Sequence, residues 1–360
     1  MRLALPVAGG YIAAVRSQAS PAQGAPPASG ADDAGRTRRR RRRLPADNVV
    51  LVTLLVIVAV ALRPALTGLL DHPAAANWAT VFVAITIQAV PFLVLGVAVS
   101  ASIATFVPPG AIARMLPRRP ALAVPAAAAA GAALPGCECG SVPIAARLVA
   151  SGVTPAAALA FLLSAPAINP IVLVATAVAF PGQPAMVLAR LLASLAAAVA
   201  MGLLWIALGR ADLLTSAVRA RRPAAPGPKP SVFFATAQHD FLQAGGFLVI
   251  GAAAAATMQT LLPRRLVESI AQPGPLSVLV LAVLAVVLAL CSEADAFVAA
   301  GLKEFSLTAR LAFLVVGPMV DLKLFALQAG TFGARFAWRF SLATFAVAIT
   351  TASLVGWWLL

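Results

Sequence analysis

The sequence predicts an all-α polytopic membrane protein made of two sequence-related halves, each containing a broken or re-entrant helical hairpin. Three observations predict this fold class: the composition, the lengths of the apolar runs, and an internal repeat. Of the 360 residues, 61% are hydrophobic and 11% are charged, and the mean hydropathy is +0.94. Because so few polar residues cannot cover a soluble globule of this size, the chain is expected to lie in a bilayer.

Apolar runs long enough to cross about 30 Å of hydrocarbon, which takes about 20 helical residues, occur seven times along the chain. They lie near residues 49–66, 78–106, 155–180, 183–209, 232–262, 307–330 and 338–360. Two further apolar stretches, 121–152 and 275–303, are each interrupted by polar residues. The interruptions, at Cys137–Ser141 and Cys291–Asp295, predict a broken helix inside each stretch.

The first 48 residues differ from the rest in composition. They are rich in Pro, Ala, Gly and Ser and contain the basic run RTRRRRRR at 36–43, which predicts a disordered cytoplasmic tail ahead of a membrane domain at 49–360. A signal peptide over residues 1–16 is the alternative, but its n-region is weak and two glycines interrupt its apolar stretch. Nine of the 27 basic residues lie before position 49 and most others separate apolar runs, so the charge of +15 indicates membrane topology rather than nucleic-acid binding.

The second half of the chain repeats the first. The segment QAVPFLVLG at 88–96 matches QAGGFLVIG at 243–251, an offset of 155 residues (243 − 88). The segment AFLLSAPAIN at 160–169 matches AFLVVGPMVD at 312–321, an offset of 152 residues (312 − 160). At the second offset Cys139 aligns with Cys291, and Asn169 aligns with Asp321. A shared Ala/Leu/Val background would not keep Gln, Pro and Cys in step, so chance is a poor explanation.

The basic residues between the apolar runs indicate how the two repeats are oriented. The first repeat is expected at about 78–209 and the second at about 232–360, joined by a basic cytoplasmic loop at 210–231. If both split stretches cross the membrane once, seven basic loop residues lie on the cytoplasmic side and seven on the outer side. If both are re-entrant hairpins that enter and leave on the same face, ten basic loop residues lie on the cytoplasmic side and four on the outer side. The positive-inside rule favours the second arrangement, which gives halves of inverted topology and a cytoplasmic N-terminus.

The first interruption combines helix-breaking residues with an ionisable one. Gly136, Gly140 and Pro143 are expected to open the helix and to leave backbone N–H and C=O groups unpaired. Glu138 adds a charge that costs on the order of 2.5–3.5 kcal/mol at the bilayer centre. Because non-helical backbone is tolerated at membrane depth only beside protein or water, the sequence predicts a polar cavity here rather than contact with lipid.

Three cysteines are candidate ligands for a solute. Cys137 and Cys139 flank Glu138, and on an extended or turning segment both sulfur atoms can reach a common ligand. Cys291, at the second interruption, supplies a third sulfur if the two hairpin tips meet. Thiolates bind soft, thiophilic species such as trivalent arsenicals and soft metal ions, and the alternative is that the three cysteines are small packing residues. No structural disulfide is predicted, because three cysteines placed within apolar sequence make no disulfide framework. No closed zinc site is predicted either, since both histidines lie outside the interrupted stretches.

Further ionisable residues occur at predicted membrane depth in the second half. Glu293 and Asp295 lie in the interruption itself, and Asp321 and Lys323 lie on a run cut by Pro318. Carboxylates buried away from water can exchange protons near neutral pH, which suits a proton-coupled antiporter. The alternatives are that the two acids of the interruption only bond frayed helix ends, and that Lys323 forms a static ion pair with Asp321 or with a hairpin acid.

Two prolines flank Asn169 in the segment SAPAINP. Pro166 and Pro170 each remove a backbone donor and bend the helix, which leaves carbonyl groups that the Asn169 amide can satisfy. Asn169 is thus predicted either to line the site or to hold the bent helix together. Asp240, near the start of the run 232–262, is expected to cap that helix.

Two pairs of motifs resemble a known family. The first pair resembles the predicted-permease family that includes YraQ and the ArsP-type organoarsenical permeases; it consists of PGCECGSVPIAARLVASG at 135–152 and FLLSAPAINPIV at 161–172. The second pair resembles the corresponding stretch in the second half of that family; it consists of CSEADAF at 291–297 and FLVVGPMVDLK at 313–323. The resemblance covers about residues 78–340 and implies a multi-pass inner-membrane permease. For the arsenical members it implies efflux of trivalent methylated or aromatic arsenicals through cysteines that match Cys137 and Cys139, whereas Glu138 stands where that pattern has a small hydroxyl or similar residue.

The sequence as a whole favours a secondary transporter that exports a small thiophilic solute in exchange for protons. Its predicted substrate-binding residues are Cys137, Glu138, Cys139, Asn169 and Cys291, and its predicted proton-coupling or ion-pair residues are Glu293, Asp295, Asp321 and Lys323. No nucleotide-binding loop of the form G-x-x-x-x-G-K-[ST] occurs, so the chain itself is not expected to hydrolyse ATP, and no cofactor or resident metal is predicted. The alternatives are a metal or other small-ion permease subunit that works with a partner, and an intramembrane thiol enzyme using Cys137, for which no histidine base lies in the interrupted stretches.

Overall fold

The computed structural model describes residues 73–108, 110–133, 137–209, 228–261 and 275–360. The predicted tail at 1–48, the run at 49–66, Gly136 and most of the basic loop at 210–231 lie outside these residues. Every regular element in the described ranges is a helix, as the hydropathy pattern predicts. All of these helices belong to one unit, Pro64–Leu360.

The helices fall into two series. In the first half the structure describes α1 (Pro73–Phe106), α2 (Ala111–Met115), α3 (Pro120–Ala132), α4 (Glu138–Ala150), α5 (Pro155–Ala167), α6 (Pro170–Ala179) and α7 (Pro184–Leu208). In the second half it describes α8 (Lys229–Leu261), α9 (Pro275–Leu288), α10 (Ser292–Gly301), α11 (Leu307–Val316), α12 (Leu322–Phe332) and α13 (Ala334–Leu359).

Five helical segments in the described ranges are long and apolar enough to cross a membrane: Pro73–Phe106, Pro155–Ala179, Pro184–Leu208, Lys229–Leu261 and Ala334–Leu359. Four of them are the single helices α1, α7, α8 and α13. The fifth combines α5 and α6, which are separated only by residues 168–169. The predicted run at 307–330 is divided more widely, because residues 317–321 separate α11 from α12.

The two halves have the same order of long and broken helices. Helices α3 and α9 begin 155 residues apart (275 − 120), while α5 and α11 (307 − 155) and α6 and α12 (322 − 170) begin 152 residues apart. These offsets are those of the sequence repeat. The caps correspond as well, since Asn169 accepts the Val172 N–H at the start of α6 and Asp321 accepts the Leu324 N–H at the start of α12. The repeat therefore extends from sequence to backbone.

The first helices of the two halves, α1 and α8, pack against each other in antiparallel orientation. Near the start of α1, Trp78 donates from Nε1 to Thr257 Oγ1 of α8 over 3.0 Å. Near the end of α1, Ser100 donates to Asp240 Oδ2 of α8 over 3.0 Å. Because residue numbers rise along α1 as they fall along α8, these two helices, which are equivalent in the repeat, run in opposite directions.

Helices α5 and α11 form the buried centre of the unit. Every residue from Ala156 to Ala167 of α5 is buried, as is every residue from Leu311 to Val316 of α11. The broken helices surround them: α4 packs on α5 and on α12, and α10 packs on α11 and on α6. Since the α4–α12 and α10–α6 contacts cross between the halves, both interrupted stretches reach the same interior region.

The structure corrects the prediction that Gly140 and Pro143 open the helix. Both lie inside α4, which begins at Glu138 with Cys137 as its N-cap. One missing donor near the start of a helix does not end it, and Pro143 only deprives the Cys139 carbonyl of its usual partner. Among the described residues, α4 therefore starts at the interruption and continues unbroken through Gly140 and Pro143.

Candidate functional site

The first interruption presents Glu138 at the start of α4. Cys137 is the N-cap, with extended backbone (φ −89°, ψ 178°), and Glu138 is the first helical residue. A carboxylate in the first turn interacts favourably with the positive end of the helix dipole. Because the Glu138 side chain is fully buried, its charge also requires a partner inside the protein.

Lys323 of α12 is that partner. Its Nζ donates to Glu138 Oε1 over 2.8 Å and to the Leu290 carbonyl over 3.2 Å, and lies 3.7 Å from Asp321 Oδ2. Both side chains of the Glu138–Lys323 pair are 0% exposed. Since Glu138 belongs to the first interruption and Leu290 adjoins the second, one ammonium group bonds to both. Both predicted kinds of partner therefore lie near Lys323: the hairpin acid Glu138 makes the shorter contact, and Asp321 makes the longer one.

The three cysteines lie beside the two hydrogen-bond partners of Lys323. Cys137 and Cys139 flank Glu138 in sequence, and Cys291 follows Leu290. All three are free thiols and all three are buried. In the part of the chain that the structure describes, no group of three or more His, Cys, Asp or Glu side chains is arranged to hold a metal ion. The thiols therefore adjoin an ion pair without forming a ready-made metal site.

The second interruption carries its acids differently. Helix α10 begins at Ser292, with Cys291 as N-cap and with Glu293 and Asp295 in its first turn. Asp295 is buried, and a methyl group added at Gly317 would lie 2.6 Å from its Oδ2, so this carboxylate packs on the segment between α11 and α12. Among the described residues, neither Asp295 Oδ2 nor Oε1 of the half-buried Glu293 has a hydrogen-bond partner.

The chain enters this interruption through an uncommon backbone conformation. Ala289, directly after α9, has a φ of +45° and is the single non-glycine residue with positive φ in the described ranges. The left-handed region costs an L-residue roughly 1–2 kcal/mol, and it is used at helix ends because it turns the chain. Here the turn is followed by the Leu290 carbonyl that accepts from Lys323.

A second buried cation, which sequence inspection missed, lies beside the second interruption. Arg190 of α7 is 0% exposed, and it donates from Nη1 to Thr176 Oγ1 over 2.8 Å and from Nη2 to the Ser292 carbonyl over 3.0 Å. Its Nε has no partner among the described residues. The available signal was a single arginine in the otherwise apolar run 183–209, since a charge within a membrane segment commonly marks function.

Asn169 caps α6 and bridges the bend between α5 and α6. Its Oδ1 accepts from the Val172 N–H over 3.0 Å, and its Nδ2 donates to the Ala165 carbonyl over 3.1 Å. Pro166 lies in the last turn of α5, and Pro170 is the first residue of α6, where the missing N–H of proline is not needed. These contacts correspond to the predicted role of holding a bent helix together.

Asp321 occupies the equivalent position in the second half, after the non-helical segment that contains Pro318. Its Oδ1 accepts from the Leu324 N–H over 2.6 Å, and its Oδ2 lies 3.7 Å from Lys323 Nζ. Asp321 thus joins the cap of α12 to the ion pair. The charged groups gathered at the interruptions are Glu138, Glu293, Asp295, Asp321, Lys323 and Arg190.

Two glycines bring supporting helices close to the ion pair. A methyl group added at Gly96 of α1 would lie 2.3 Å from the Gly140 Cα of α4, and one added at Gly251 of α8 would lie 2.8 Å from the Lys323 Cα of α12. Gly96 and Gly251 are equivalent in the sequence repeat (251 − 96 = 155). Close backbone packing on both sides therefore fixes the helices that carry Glu138 and Lys323.

A small pocket, with a free volume of about 20 Å³, borders the first interruption. Its lining includes Cys137 and Ser141 together with apolar and aromatic side chains, among them Phe92, Leu95, Val99, Ile144 and Phe161. A thiol at the edge of a mainly apolar space suits a small molecule that has a thiophilic centre and an apolar substituent.

Outside this site, Asp240 forms a further buried ion pair. The prediction that it caps a helix is wrong, because it lies well inside α8 rather than at its start. Its Oδ2 accepts from Arg147 Nη2 of α4 over 3.2 Å and from Ser100 Oγ of α1 over 3.0 Å. A carboxylate within an apolar run needs a partner, and that partner is supplied by another helix.

Comparison with known proteins places these features in a family. Residues 74–357 match the ArsP_1 family model, described as "Predicted permease". The UPF0718 protein YcgR of Bacillus subtilis (strain 168) is 39% identical over 278 residues, which cover 76% of this chain and 94% of the relative. The "Putative two-component membrane permease complex subunit" of Streptococcus mutans serotype c (strain ATCC 700610 / UA159) is 32% identical over 266 residues, which cover 72% of this chain and 88% of the relative. No solved structure matches the chain.

The family match spans both interruptions and nearly all of the described helices, and the family resemblance of the two pairs of motifs is confirmed. The chain therefore belongs to the ArsP_1 family of predicted permeases and is a multi-pass membrane protein.

Proposed function

We propose that the chain is a gradient-driven permease that exports a small thiophilic solute, such as a trivalent organoarsenical, through a site where its two interrupted helices meet. The observation that carries the proposal is the position of the Lys323 ammonium group, which bonds Glu138 of the first interruption and the Leu290 carbonyl at the second. The three cysteines adjoin these two partners. A solute held by the thiols would therefore lie beside buried charges that belong to both halves.

The chemistry of the pocket lining supports a solute with an apolar part, and the pocket, at about 20 Å³, has to widen to admit it. Cys137 contributes a soft sulfur ligand, and Phe92 and Phe161 contribute aromatic faces. Thiolates select soft centres over hard cations such as Mg²⁺ or Ca²⁺. An arsenic(III) centre with a methyl or phenyl substituent satisfies both parts of this lining.

Coupling to protons is supported by the surplus of acids at the site. Four carboxylates face two cations, which gives a formal charge of −2 at full ionisation (−4 and +2). Glu138 Oε2, Glu293 Oε1 and Asp295 Oδ2 accept no hydrogen bond from the described residues. A proton can bind at each of these atoms without displacing a protein contact, as an antiporter driven by the proton gradient requires.

The orientation of the two halves supports alternating access. Helices α1 and α8 are equivalent in the repeat and run antiparallel, and the loop charges favour an inverted arrangement by ten to four. Inverted repeats with a site near the midplane open to each side in turn by moving one repeat against the other. The same charge distribution favours a cytoplasmic N-terminus, and the family resemblance implies the inner membrane.

Uptake by everted membrane vesicles tests the proposal. Vesicles that carry the parent chain and a proton gradient are expected to accumulate methylarsenite, and a protonophore is expected to abolish the accumulation. Cys137→Ser should reduce it most, because serine keeps the size of the side chain and removes the thiol that lines the pocket.

Cys139→Ser and Cys291→Ser extend this test to the other two thiols, and Thr350→Ala, at an exposed position of α13, controls for expression and insertion. Unchanged accumulation in all three cysteine variants would remove the thiols from the mechanism. Absence of accumulation by the parent chain would overturn the assignment of the solute.

A second candidate function is that of one subunit in a two-component permease. The observation that favours it is the name of the Streptococcus mutans relative, which describes a subunit of a two-component membrane permease complex. In this case the same site would serve a pathway completed by a second polypeptide. The purified chain, reconstituted alone in proteoliposomes, separates the two candidates, because transport by the chain alone would contradict an obligate partner.

A further inference from the structure

A second polar cluster lies apart from the site and joins the two halves. Arg147 of α4 donates from Nη2 to Asp240 Oδ2 of α8 over 3.2 Å, and Ser100 of α1 donates to the same oxygen over 3.0 Å. Helices α1 and α4 belong to the first half and α8 to the second. One carboxylate oxygen therefore connects three helices across the boundary along which the two halves pack.

The cluster lies between the site and one end of the described unit. Arg147 is nine residues after Glu138 on α4 (147 − 138), which corresponds to roughly 14 Å along the helix axis, and α4 ends three residues later at Ala150. The Arg147 side chain is 14% exposed, whereas that of Asp240 is 2% exposed. The cluster thus lies between Glu138 and the end of α4, and its cation is more exposed than its carboxylate.

Towards the other end of the α1–α8 pair, inside the exposed Trp78–Thr257 hydrogen bond, the buried contact is apolar. In the repeat, Asp240 is equivalent to Ile85 (240 − 85 = 155) and Ser100 is equivalent to Ala255 (255 − 100 = 155). Ile85 and Ala255 belong to one buried cluster with Ala252 and Ala289. Ile85 and Ser100 are 15 positions apart on α1, or roughly 22 Å. The same pair of helices therefore has an ionic buried contact towards one end and an apolar buried contact towards the other.

The position of the ion pair relative to the site distinguishes the two ends further. Gly96, which packs on Gly140 beside the site, lies between Ile85 and Ser100 on α1. Gly251, which packs on Lys323, lies between Asp240 and Ala255 on α8. The site is thus enclosed between an ionic contact and an apolar contact.

We propose that Arg147, Asp240 and Ser100 form a gate that closes the site on one face of the membrane. The gate rests on the proposed transport function. It opens when the Arg147–Asp240 pair separates and water enters along α4. An ion pair is suited to such a gate because its two states are closely balanced: the Coulomb energy lost on opening is offset by renewed hydration of both ions. The apolar contact at the other end is not stabilised by hydration, so that end stays closed by excluding water.

Labelling of the native thiols tests the gate without any transported solute. The full chain is treated with an impermeant maleimide in right-side-out and in inside-out vesicles, and labelling of Cys137, Cys139 and Cys291 is followed by mass spectrometry. The parent chain should label slowly from both faces, because all three thiols are buried. Asp240→Asn should accelerate labelling on the order of tenfold from one face only, the factor that corresponds to about 1.4 kcal/mol.

Matched variants make the result specific. The exchange Arg147→Asp with Asp240→Arg should restore slow labelling, because it rebuilds the pair with reversed charges. Gln243→Leu should leave labelling unchanged, since Gln243, one turn after Asp240 on α8, bonds to the Gly330 carbonyl of α12 and not to the cluster. Ser100→Ala keeps the ion pair and should accelerate labelling less than Asp240→Asn, and it carries the test if Asp240→Asn does not fold.

Two results would overturn the gate. Acceleration from both faces to the same extent would show general loosening, and unchanged labelling in Asp240→Asn and Ser100→Ala would show that the cluster does not close the route. Failure of the parent chain to transport methylarsenite would count against the proposed solute but would leave a one-sided labelling result standing.

Discussion

The two interruptions occupy equivalent places in the repeat, yet they hold their charges in different ways. At the first, Glu138 forms a direct ion pair with Lys323 at 2.8 Å. At the second, Glu293 and Asp295 each keep one carboxylate oxygen without a hydrogen bond from the described residues. The cation beside them, Arg190, bonds to Thr176 and to a backbone carbonyl instead.

This difference shows that the repeat preserved the backbone while the side chains diverged. Helix starts, caps and the glycine contacts correspond between the halves, because they depend on local conformation and on close backbone packing. The ion pairs do not correspond, because they depend on which side chain can reach across from the other half. In the proposed function, the ion pair at the first interruption joins the halves, and the unbonded oxygens of Glu138, Glu293 and Asp295 are available for proton exchange.

The largest expected effect comes from breaking the ion pair of the first interruption. Lys323→Met leaves the fully buried Glu138 carboxylate without its cation, which is expected to lower the free energy of unfolding by about 3–5 kcal/mol. Thermal or denaturant unfolding of the purified chain in detergent measures the loss. The double variant Glu138→Gln with Lys323→Met removes the closer pair of charges and should recover part of the loss, because Asp321, 3.7 Å from the ammonium group, still loses its cation. A double variant as unstable as the single one would contradict this account of the pair.

A smaller effect is expected at the second interruption. Arg190→Met removes two hydrogen bonds from a charged donor to neutral acceptors, and bonds of this kind contribute about 1.5–3 kcal/mol. Arg190→Lys should be intermediate, because an ammonium group keeps the charge but cannot reproduce the planar bridge between Thr176 and Ser292. The free energies of unfolding of Arg190→Met, Arg190→Lys and Lys323→Met, measured under the same conditions, show which side chain contributes more. A loss larger than that of Lys323→Met would mean that Arg190, rather than Lys323, is the main electrostatic support.

The glycine contacts should respond similarly in both halves. Gly96→Ala places a methyl group 2.3 Å from the Gly140 Cα, and Gly251→Ala places one 2.8 Å from the Lys323 Cα. Such overpacking is expected to lower the free energy of unfolding by about 1–3 kcal/mol, with the larger loss at Gly96. Gly246→Ala on α8 is the control, because nothing lies within 4 Å of the added methyl group. A loss in the control equal to that at Gly251 would point to helix α8 itself rather than to the close contact.

The smallest effect is expected at the equivalent caps of α6 and α12. Asp321→Asn keeps an oxygen that can accept from the Leu324 N–H, so the free energy of unfolding should change by less than about 1 kcal/mol. Asn169→Asp replaces the Nδ2 donor to the Ala165 carbonyl with an acceptor and introduces a charge at a buried position, so it should be clearly more destabilising. Equal effects of the two exchanges in the same unfolding assay would contradict the asymmetry between the halves.

The membrane helices and both interruptions could be predicted from the sequence. The long runs at 78–106, 183–209, 232–262 and 338–360 correspond to α1, α7, α8 and α13. Run length and polar residues within a run are properties of the linear chain, which explains this agreement. The expectation that glycine and proline interrupt a helix was wrong at Gly140 and Pro143. Sequence alone does not distinguish a glycine that allows close packing, or a proline near the start of a helix, from residues that break the helix.

The pairing of charges could be predicted only in part. Sequence patterns identified Glu138 and Lys323 and offered a hairpin acid as one possible partner of the lysine. They missed Arg190 and took Asp240 for a cap, because the partner of each lies on another helix. Glu138 and Lys323 are 185 residues apart, and Arg147 and Asp240 are 93 apart, so neither pair leaves a periodic trace in the chain.

Composition and the internal repeat by themselves determined that this chain is a helical membrane protein with two interrupted stretches, since hydropathy and recurrence are read along one dimension. The tertiary structure alone decided that the interruptions meet at one ammonium group, that a second cation lies beside them, and that the buried contacts of the α1–α8 pair are ionic towards one end and apolar towards the other. The physical reason is that a buried charge is tolerated only where a partner lies within about 3 Å, and packing between distant segments sets that distance.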